Sequence, residues 1–260
     1  MQTKLDGLIL SKTPYQERHL VGKLLLRSGK RVSVMFYGGQ GGGKKMKVSG
    51  LELGHLIKLE LAQGKRNQEM YSCKEWSVGW AHENIRTQHI AFWTMCFFLE
   101  LVQLLSPEDG LHDSHRESDV SGRGLYAVLS NALAHMDKSL SDNEFDHLTE
   151  IMIFLGKILI EQGIFPERTH CALSGEEIRS GEALVLFSER GAFAKSHYAG
   201  SDQMSGSELW NLLGVIANQK YHQIKVLNVS GAGVIHAVLD YLCYQLQFQK
   251  KQFKTLPLLL

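Results

Sequence analysis

The spacing of apolar residues changes once along this 260-residue chain. In residues 1–78 they recur at every second position, as in Ile57–Leu61. In residues 79–260 they recur at every third or fourth position, as in Ile90–Leu104. Period two is typical of β-strands and a period near 3.6 is typical of helices. We therefore predict an α+β protein, with a β domain over residues 1–78 and an α-helical domain over residues 79–260.

The first domain has room for five short strands separated by turn signals such as Pro14 and Ser28-Gly29-Lys30. Five strands and one long loop in about 75 residues suit a small closed barrel, and the OB-fold is such a barrel that binds nucleic acid. The predicted strands are Leu5–Lys12, Leu20–Arg27, Arg31–Tyr37, Ile57–Leu61 and Met70–Trp76.

The second domain contains helical stripes that are interrupted at about residues 166–200. Two apolar runs on either side of Arg190-Gly191 predict a β-hairpin in that interval. Ser141 with Glu144, and Ser205 with Glu208, have the spacing of a capping box before a helix. We therefore predict helices from these two points and a small irregular insertion between them.

Charge is unevenly distributed along the chain. Residues 1–66 hold thirteen Lys or Arg and four acidic residues, a net charge of +9, whereas the remainder has a net charge of −8. Solubility does not require so many positive charges in one segment. Their concentration favours an anionic partner for the N-terminal domain.

The run Gly38–Lys47 holds five glycines and three lysines directly after a predicted strand. Gly38, Gly43 and Lys44 have the spacing of a P-loop, but Lys45 stands where the motif has the Ser or Thr that holds Mg²⁺. The segment leads into another strand and not into a helix, which argues against nucleotide hydrolysis. A mobile basic loop that follows a nucleic-acid backbone is the interpretation we favour, and a hairpin connection without function is the plain alternative.

The expected binding residues are the cations around this loop and one outward-facing aromatic residue on which a base could stack. They are Arg27, Lys30, Arg31, Tyr37, Lys44, Lys45 and Lys47. No nucleophile elbow and no HExxH motif occurs, so we expect no catalytic residue and no cofactor. His170, Cys171 and His197 have poor spacing for zinc, and we expect no bound metal.

The cysteines Cys73, Cys96, Cys171 and Cys243 are far apart, which fits a reducing compartment better than a disulfide framework. The N-terminus lacks the apolar core of a signal peptide. The strongest apolar stretch contains Glu100 and is too short to cross a bilayer. We expect a cytoplasmic protein without a membrane partner.

Taken in order, several segments of the chain resemble the RecO family of bacterial recombination mediators. The similarity extends over the whole length. The segments are Asp6–Lys12 with Tyr15–Arg18, Gly38–Lys47 with Gly50–Leu61, Ile160–Pro166 with Cys171 and Ser174-Gly175, and Leu246–Leu256.

The resemblance implies an OB-fold, a helical domain and a zinc-ribbon-like insertion. It also implies a role in DNA repair and recombination, close to the nucleoid: binding of single- and double-stranded DNA, strand annealing, and recombinase loading with RecR and single-stranded DNA-binding protein. Some relatives hold zinc with four cysteines, whereas here Cys171 stands alone and Ser174 replaces its partner, so we expect no zinc. An OB-type RNA-binding or scaffold protein is the alternative, and a nucleotide-dependent enzyme is a more remote one.

Overall fold

The computed structural model of the chain describes residues 3–38, 50–62, 70–108, 124–199, 205–224 and 227–260. Over these residues the protein is α+β, with one closed five-stranded barrel, one two-stranded sheet and six α-helices. It divides into two compact units, Met1–Asn143 (the N-terminal unit) and Glu144–Leu260 (the C-terminal unit). The N-terminal unit contains two helices as well as the barrel, so it extends beyond the predicted domain end at residue 78.

The barrel confirms the five strands expected from the period-two pattern. Its strands are paired in the order β1-β2-β3-β5-β4 and close through β1 and β4. All pairs are antiparallel except β3 with β5, which run parallel. The strands are β1 (Thr3–Tyr15), β2 (His19–Leu26), β3 (Arg31–Phe36), β4 (Leu56–Leu61) and β5 (Tyr71–Trp80).

Strand β1 is long because it pairs with two strands, and these pairings help to close the barrel. Its first half pairs with β4 and its second half pairs with β2, and the β1–β2 register shifts between Ile9 and Ser11. Such a shift bends the strand and lets the sheet curve back on itself. The side chains that point inward form the core of the barrel, and Leu24, Val34 and Ile57 are fully buried within it.

Part of the outer face of the barrel is also buried. Leu8 and Leu25 lie opposite each other in the β1–β2 ladder, and neither belongs to the inner cluster, yet both are at most 1% exposed. Helix α1 (His89–Leu105) packs against β1. This stretch of the barrel is therefore an internal surface of the N-terminal unit, and the apolar residues on both of its faces explain why the alternation is imperfect there.

Helix α2 (Leu125–Ser141) packs against α1 and is linked to the segment that precedes α1. The Asp137 carboxylate accepts hydrogen bonds from the backbone N–H groups of Glu83, Asn84 and Ile85, at 2.7 to 3.2 Å for its nearer oxygen. Since a carboxylate bonded to several N–H groups binds strongly, α2 holds the exit of the barrel in place.

In the C-terminal unit, helices α3, α5 and α6 pack against one another, and β6 with β7 forms the hairpin expected around Arg190-Gly191. The short helix α4 follows the hairpin. The elements are α3 (His147–Glu161), β6 (Leu184–Phe187), β7 (Ala192–Lys195), α4 (Ser196–Ala199), α5 (Ser205–Asn218) and α6 (Ala232–Leu246).

The predicted capping box at Ser141 and Glu144 is wrong. Ser141 is the last residue of α2, and α3 begins after Asp146, whose carboxylate accepts from the Thr149 N–H at 2.8 Å. An Asp cap satisfies the same open N–H groups as a Ser cap, so the helix was expected correctly but its start was not. None of the helices in the described residues has the length and apolar character needed to cross a membrane.

Candidate nucleic-acid interface

Three aromatic side chains lie side by side at one end of the barrel. Strand β1 ends there, β2 begins there and β3 ends there, because each is antiparallel to the next. Tyr15 is paired with His19, and the pairing of Leu20 with Phe36 brings Tyr37 next to His19. The His19 and Tyr37 rings meet edge to face, with centroids 5.0 Å apart. We call Tyr15, His19 and Tyr37 the rim row.

The rim row presents aromatic surface to solvent. Tyr15 is 46% exposed and Tyr37 is 63% exposed. These two tyrosines differ from other exposed ones because the strand register places them on either side of a histidine, which concentrates aromatic surface at one place. Arg18, in the turn between β1 and β2, adds an exposed cation beside them. Glu17 is exposed in the same turn, so the row combines ring faces with one charge of each sign.

Local backbone geometry fixes this arrangement. Gln16 has a left-handed conformation, with φ of 53°, in the turn that brings Tyr15 and His19 opposite each other. Gly38 is also left-handed, with φ of 71°, and glycine adopts this without steric cost. The Gly38 N–H donates to Nδ1 of His19 at 3.2 Å. His19 thus binds the first residue of the glycine-lysine run.

The structure separates the other predicted binding residues from Tyr37. Arg27, Lys30 and Arg31 lie at the β2–β3 turn, at the opposite end of β3. Six residues of extended strand place Arg31 about 20 Å from Tyr37. Lys44, Lys45 and Lys47 lie outside the described residues.

Arg27 and Arg31 contact other residues of the protein. Arg27 lies 3.3 Å from Asp6 and sits over the Tyr126 ring at 5.3 Å. Arg31 donates through Nη1 to the Gln103 carbonyl of α1 and through Nη2 to the Glu108 carboxylate at 2.8 Å. The Arg31 side chain is only 15% exposed. It anchors the end of α1 on the barrel.

The positive charge of the barrel is also partly neutralised elsewhere. Glu52 lies 2.5 Å from Lys12 and 2.7 Å from Arg86. Although burial raises the pKa of the Glu52 carboxyl, the hydrogen bond and charge of Lys12, together with Arg86, outweigh it and lower that pKa overall. Five of the thirteen cations in residues 1–66 fall in two intervals outside the described residues, 39–49 and 63–69.

A buried pair of histidines contacts the segment that follows the glycine-lysine run. The rings of His55 and His82 are 4.8 Å apart, and both residues are at most 7% exposed. Nδ1 of His55 donates to the Gly50 carbonyl at 3.1 Å, and Nε2 of His82 donates to the Leu53 carbonyl at 3.0 Å. These bonds hold residues 50–53, which lead into β4.

We expect this pair to make the N-terminal unit less stable in mild acid. Burial lowers the pKa of both His55 and His82. At pH values well above about 6.5 both rings are neutral whether the chain is folded or not, and stability is unaffected. Below that value the unfolded chain takes up protons that the folded one does not, so the free energy of unfolding falls by at most about 2.7 kcal/mol per pH unit for two protons.

Hydrogen exchange of barrel peptides between about pH 7.5 and about pH 5.5, corrected for the intrinsic exchange rate, measures this loss of stability. Arg86, Glu52 and Asp137 are the charged groups that act on the pair. Replacing both histidines by glutamine should flatten the profile. An equally steep profile in the double variant would rule the pair out as its cause.

The sequence indicated part of the rim row. Tyr37 was predicted, Tyr15 was visible as an aromatic residue of the basic segment, and His19 was missed. No local pattern marks His19, because only the register of β1, β2 and β3 places it between the two tyrosines. A possible signal was the position of each residue at the end of a predicted strand beside a turn.

The insertion contains one cysteine with unusual chemistry. Burial raises the pKa of the Cys171 thiol, but hydrogen bonds from the Ser174 hydroxyl and from the Lys195, Ser174 and Leu173 backbone N–H groups outweigh it and bring the pKa to about 7. Within the part of the chain that the structure describes, no group of three or more His, Cys, Asp or Glu residues is arranged to hold a metal ion.

The surface that the geometry supports as an interface is therefore the rim row and the start of the glycine-lysine run. Comparison of the sequence with known protein families and with curated proteins gives no match.

Proposed function

We propose that this protein is a non-enzymatic DNA-binding mediator of recombination and repair, similar to the RecO family, and that its barrel is an OB-fold. The observation that carries the proposal is the rim row of Tyr15, His19 and Tyr37, from which the glycine-lysine run departs. A single strand offers unpaired bases and a phosphate backbone, and this surface has a counterpart for each.

The strand order supports the OB assignment. The barrel is closed and five-stranded, in the order β1-β2-β3-β5-β4, and it has a β2–β3 face and a β1–β2 loop. These are regions through which OB-folds bind oligonucleotides. Tyr15, Arg18 and His19 lie at that loop, and Tyr37 ends β3. The rim row therefore lies at the loop and strand ends that an OB-fold would use for binding.

The rim row and the lysines would make separate contributions. Bases of any sequence can stack on exposed tyrosines, because every base has a π-face. The lysines of the run Gly38–Lys47 would neutralise phosphates without reading sequence. Annealing follows from the same chemistry, since two strands held on one basic surface repel each other less. Docking of RecR and single-stranded DNA-binding protein on the C-terminal unit is proposed from the family resemblance.

Oligonucleotide binding at several salt concentrations tests the proposal. The triple substitution Lys44→Glu, Lys45→Glu and Lys47→Glu is expected to weaken oligonucleotide binding in low salt by a factor of roughly ten or more relative to wild type. Fluorescence anisotropy measures this change. The slope of log affinity against log salt should fall by about 2, since each phosphate contact on a single strand contributes about 0.7.

The matched control places the same charge change in the C-terminal unit. Lys220, Lys251 and Lys254 are exposed, and their replacement by glutamate alters net charge equally. The assignment would be wrong if the Lys44, Lys45 and Lys47 variant bound oligonucleotide as tightly as wild type. It would also be wrong if the control variant lost the same amount of affinity. DNA and RNA of one sequence, measured side by side, separate a DNA mediator from an RNA-binding protein.

A further inference from the structure

One acidic side chain lies between two cations on the β2–β3 face of the barrel. The Glu108 carboxylate is 2.8 Å from Nη2 of Arg31 and 3.8 Å from Nζ of Lys23. Lys23 is paired with Ser33 and lies two residues from Leu25, the partner of Arg31. Both cations therefore project from the same face of neighbouring strands, and Glu108 lies across them.

The backbone around Glu108 is held against β3 at a gap in the barrel. Strand β5 first pairs with β3 at Val34, so Arg31 precedes the stretch in which β5 covers that edge. The Arg31 N–H donates to the Pro107 carbonyl at 2.8 Å, and Arg31 forms a parallel bridge with Glu108. Covering an open strand edge is a common need of β-sheets. Here the covering segment also delivers a carboxylate to the two cations.

The carboxylate occupies a position that suits a phosphate oxygen. Nη1 of Arg31 is held by the Gln103 carbonyl, so the guanidinium is already oriented when Nη2 meets an anion. Arginine binds carboxylate and phosphate with the same geometry, and lysine adds a point charge. The Glu108 side chain is 65% exposed and Lys23 is 37% exposed, so solvent reaches the carboxylate, whereas the Arg31 side chain beside it is only 15% exposed. An incoming polyanion could therefore displace it.

We propose that Lys23 and Arg31 form a phosphate subsite for the nucleic-acid backbone, and that Glu108 occupies it when no nucleic acid is bound. The inference rests on the proposed function and adds a regulatory contact to it. Glu108 competes with the backbone, so it lowers affinity and favours release. The group that the subsite would take is a phosphate, because a single carboxylate bridging two cations mimics one phosphate group, and the proposed function makes it a phosphate of the nucleic-acid backbone.

The test is a double-mutant cycle with a fluorescent single-stranded oligonucleotide. Glu108→Gln is expected to tighten binding about three- to tenfold and to steepen the salt slope by about one phosphate contact. Lys23→Gln should change wild-type affinity less than about twofold, because it removes one ion pair from the free state and one from the bound state. In the Glu108→Gln background the same change should weaken binding about three- to tenfold.

Glu60→Gln is the matched control, since Glu60 pairs with Lys74 on the same barrel at 3.2 Å. Equal gains from Glu108→Gln and Glu60→Gln, or additive effects of Lys23→Gln, would show only a general charge effect and overturn the subsite. If wild type binds the oligonucleotide and Glu108→Gln binds it with the same affinity, the subsite is overturned and the proposed function stands. If neither wild type nor Glu108→Gln binds any oligonucleotide, both proposals fail. Far-ultraviolet circular dichroism checks that each variant is folded.

Discussion

Replacing Tyr15 and Tyr37 together by leucine should cost about 1–3 kcal/mol of single-strand binding for each base that loses its ring. For two bases the dissociation constant then rises at least about 30-fold. Both side chains are exposed to a substantial extent and lie outside the inner cluster, so leucine should leave the fold intact. Fluorescence anisotropy with a short single-stranded oligonucleotide at fixed salt measures the loss.

The C-terminal unit offers a matched pair of tyrosines for comparison. Tyr198 and Tyr244 are 46% and 55% exposed, against 46% and 63% for Tyr15 and Tyr37. Their replacement by leucine should leave affinity unchanged. Duplex DNA, whose bases are already stacked, should respond much less to the rim substitutions, and the salt slope should stay the same. Equal losses for single strand and duplex would contradict base stacking on the rim row.

Gly206→Ala is expected to destabilise the C-terminal unit by about 3 kcal/mol, the upper end of the usual cost of overpacking. Helix propensity alone predicts the opposite sign, a gain of up to about 1 kcal/mol for Gly→Ala. A Cβ at this position, however, would lie 2.0 Å from the Leu184 carbonyl oxygen and 2.8 Å from the Val185 Cα. Both are backbone atoms, so no rotamer change relieves the overlap, and α5 would have to move away from β6.

The same junction carries specific polar contacts. The Ser207 hydroxyl accepts from the Leu184 N–H at 3.0 Å and donates to the Glu182 carbonyl at 2.9 Å. Displacing α5 by even a small distance would break both bonds. Hydrogen exchange of peptides from α5 and β6, followed by mass spectrometry, should therefore show faster exchange in Gly206→Ala, while barrel peptides keep their wild-type rates.

Gly233→Ala provides the control because Gly233 is also the second residue of its helix. Nothing lies within 4 Å of a Cβ placed there. This substitution should leave the C-terminal unit as stable as wild type or slightly more so. Wild-type exchange in Gly206→Ala would mean that the contact between α5 and β6 is looser than the structure shows.

Much of the fold was predictable because it depends on patterns that are local in sequence. Alternating apolar residues produced the five strands, and Gly163, with φ of 68°, ends α3 as expected for glycine after a helix. The start of α3 was misplaced because several Ser and Asp residues near residue 146 can cap a helix, and packing selects among them. The sequence predicted that helix α3 exists, but it did not predict which residue caps it.

The candidate site was less predictable because it depends on register. Tyr37 was expected to bind together with Arg27, Lys30 and Arg31, which are close in sequence. The strand between them is extended, so closeness in sequence means about 20 Å in space. His19, which is distant from Tyr37 in sequence, is its neighbour on the next strand.

By itself the sequence determined the α+β class, the basic character of the first 66 residues and the glycine-lysine run, because composition and periodicity are properties of the chain. Only the tertiary structure decided which cations are already paired, as with Arg31 and Glu108, and which aromatic residues share a surface. Pairing across strands and the burial of charge arise when distant segments meet. No local pattern encodes the distance between them.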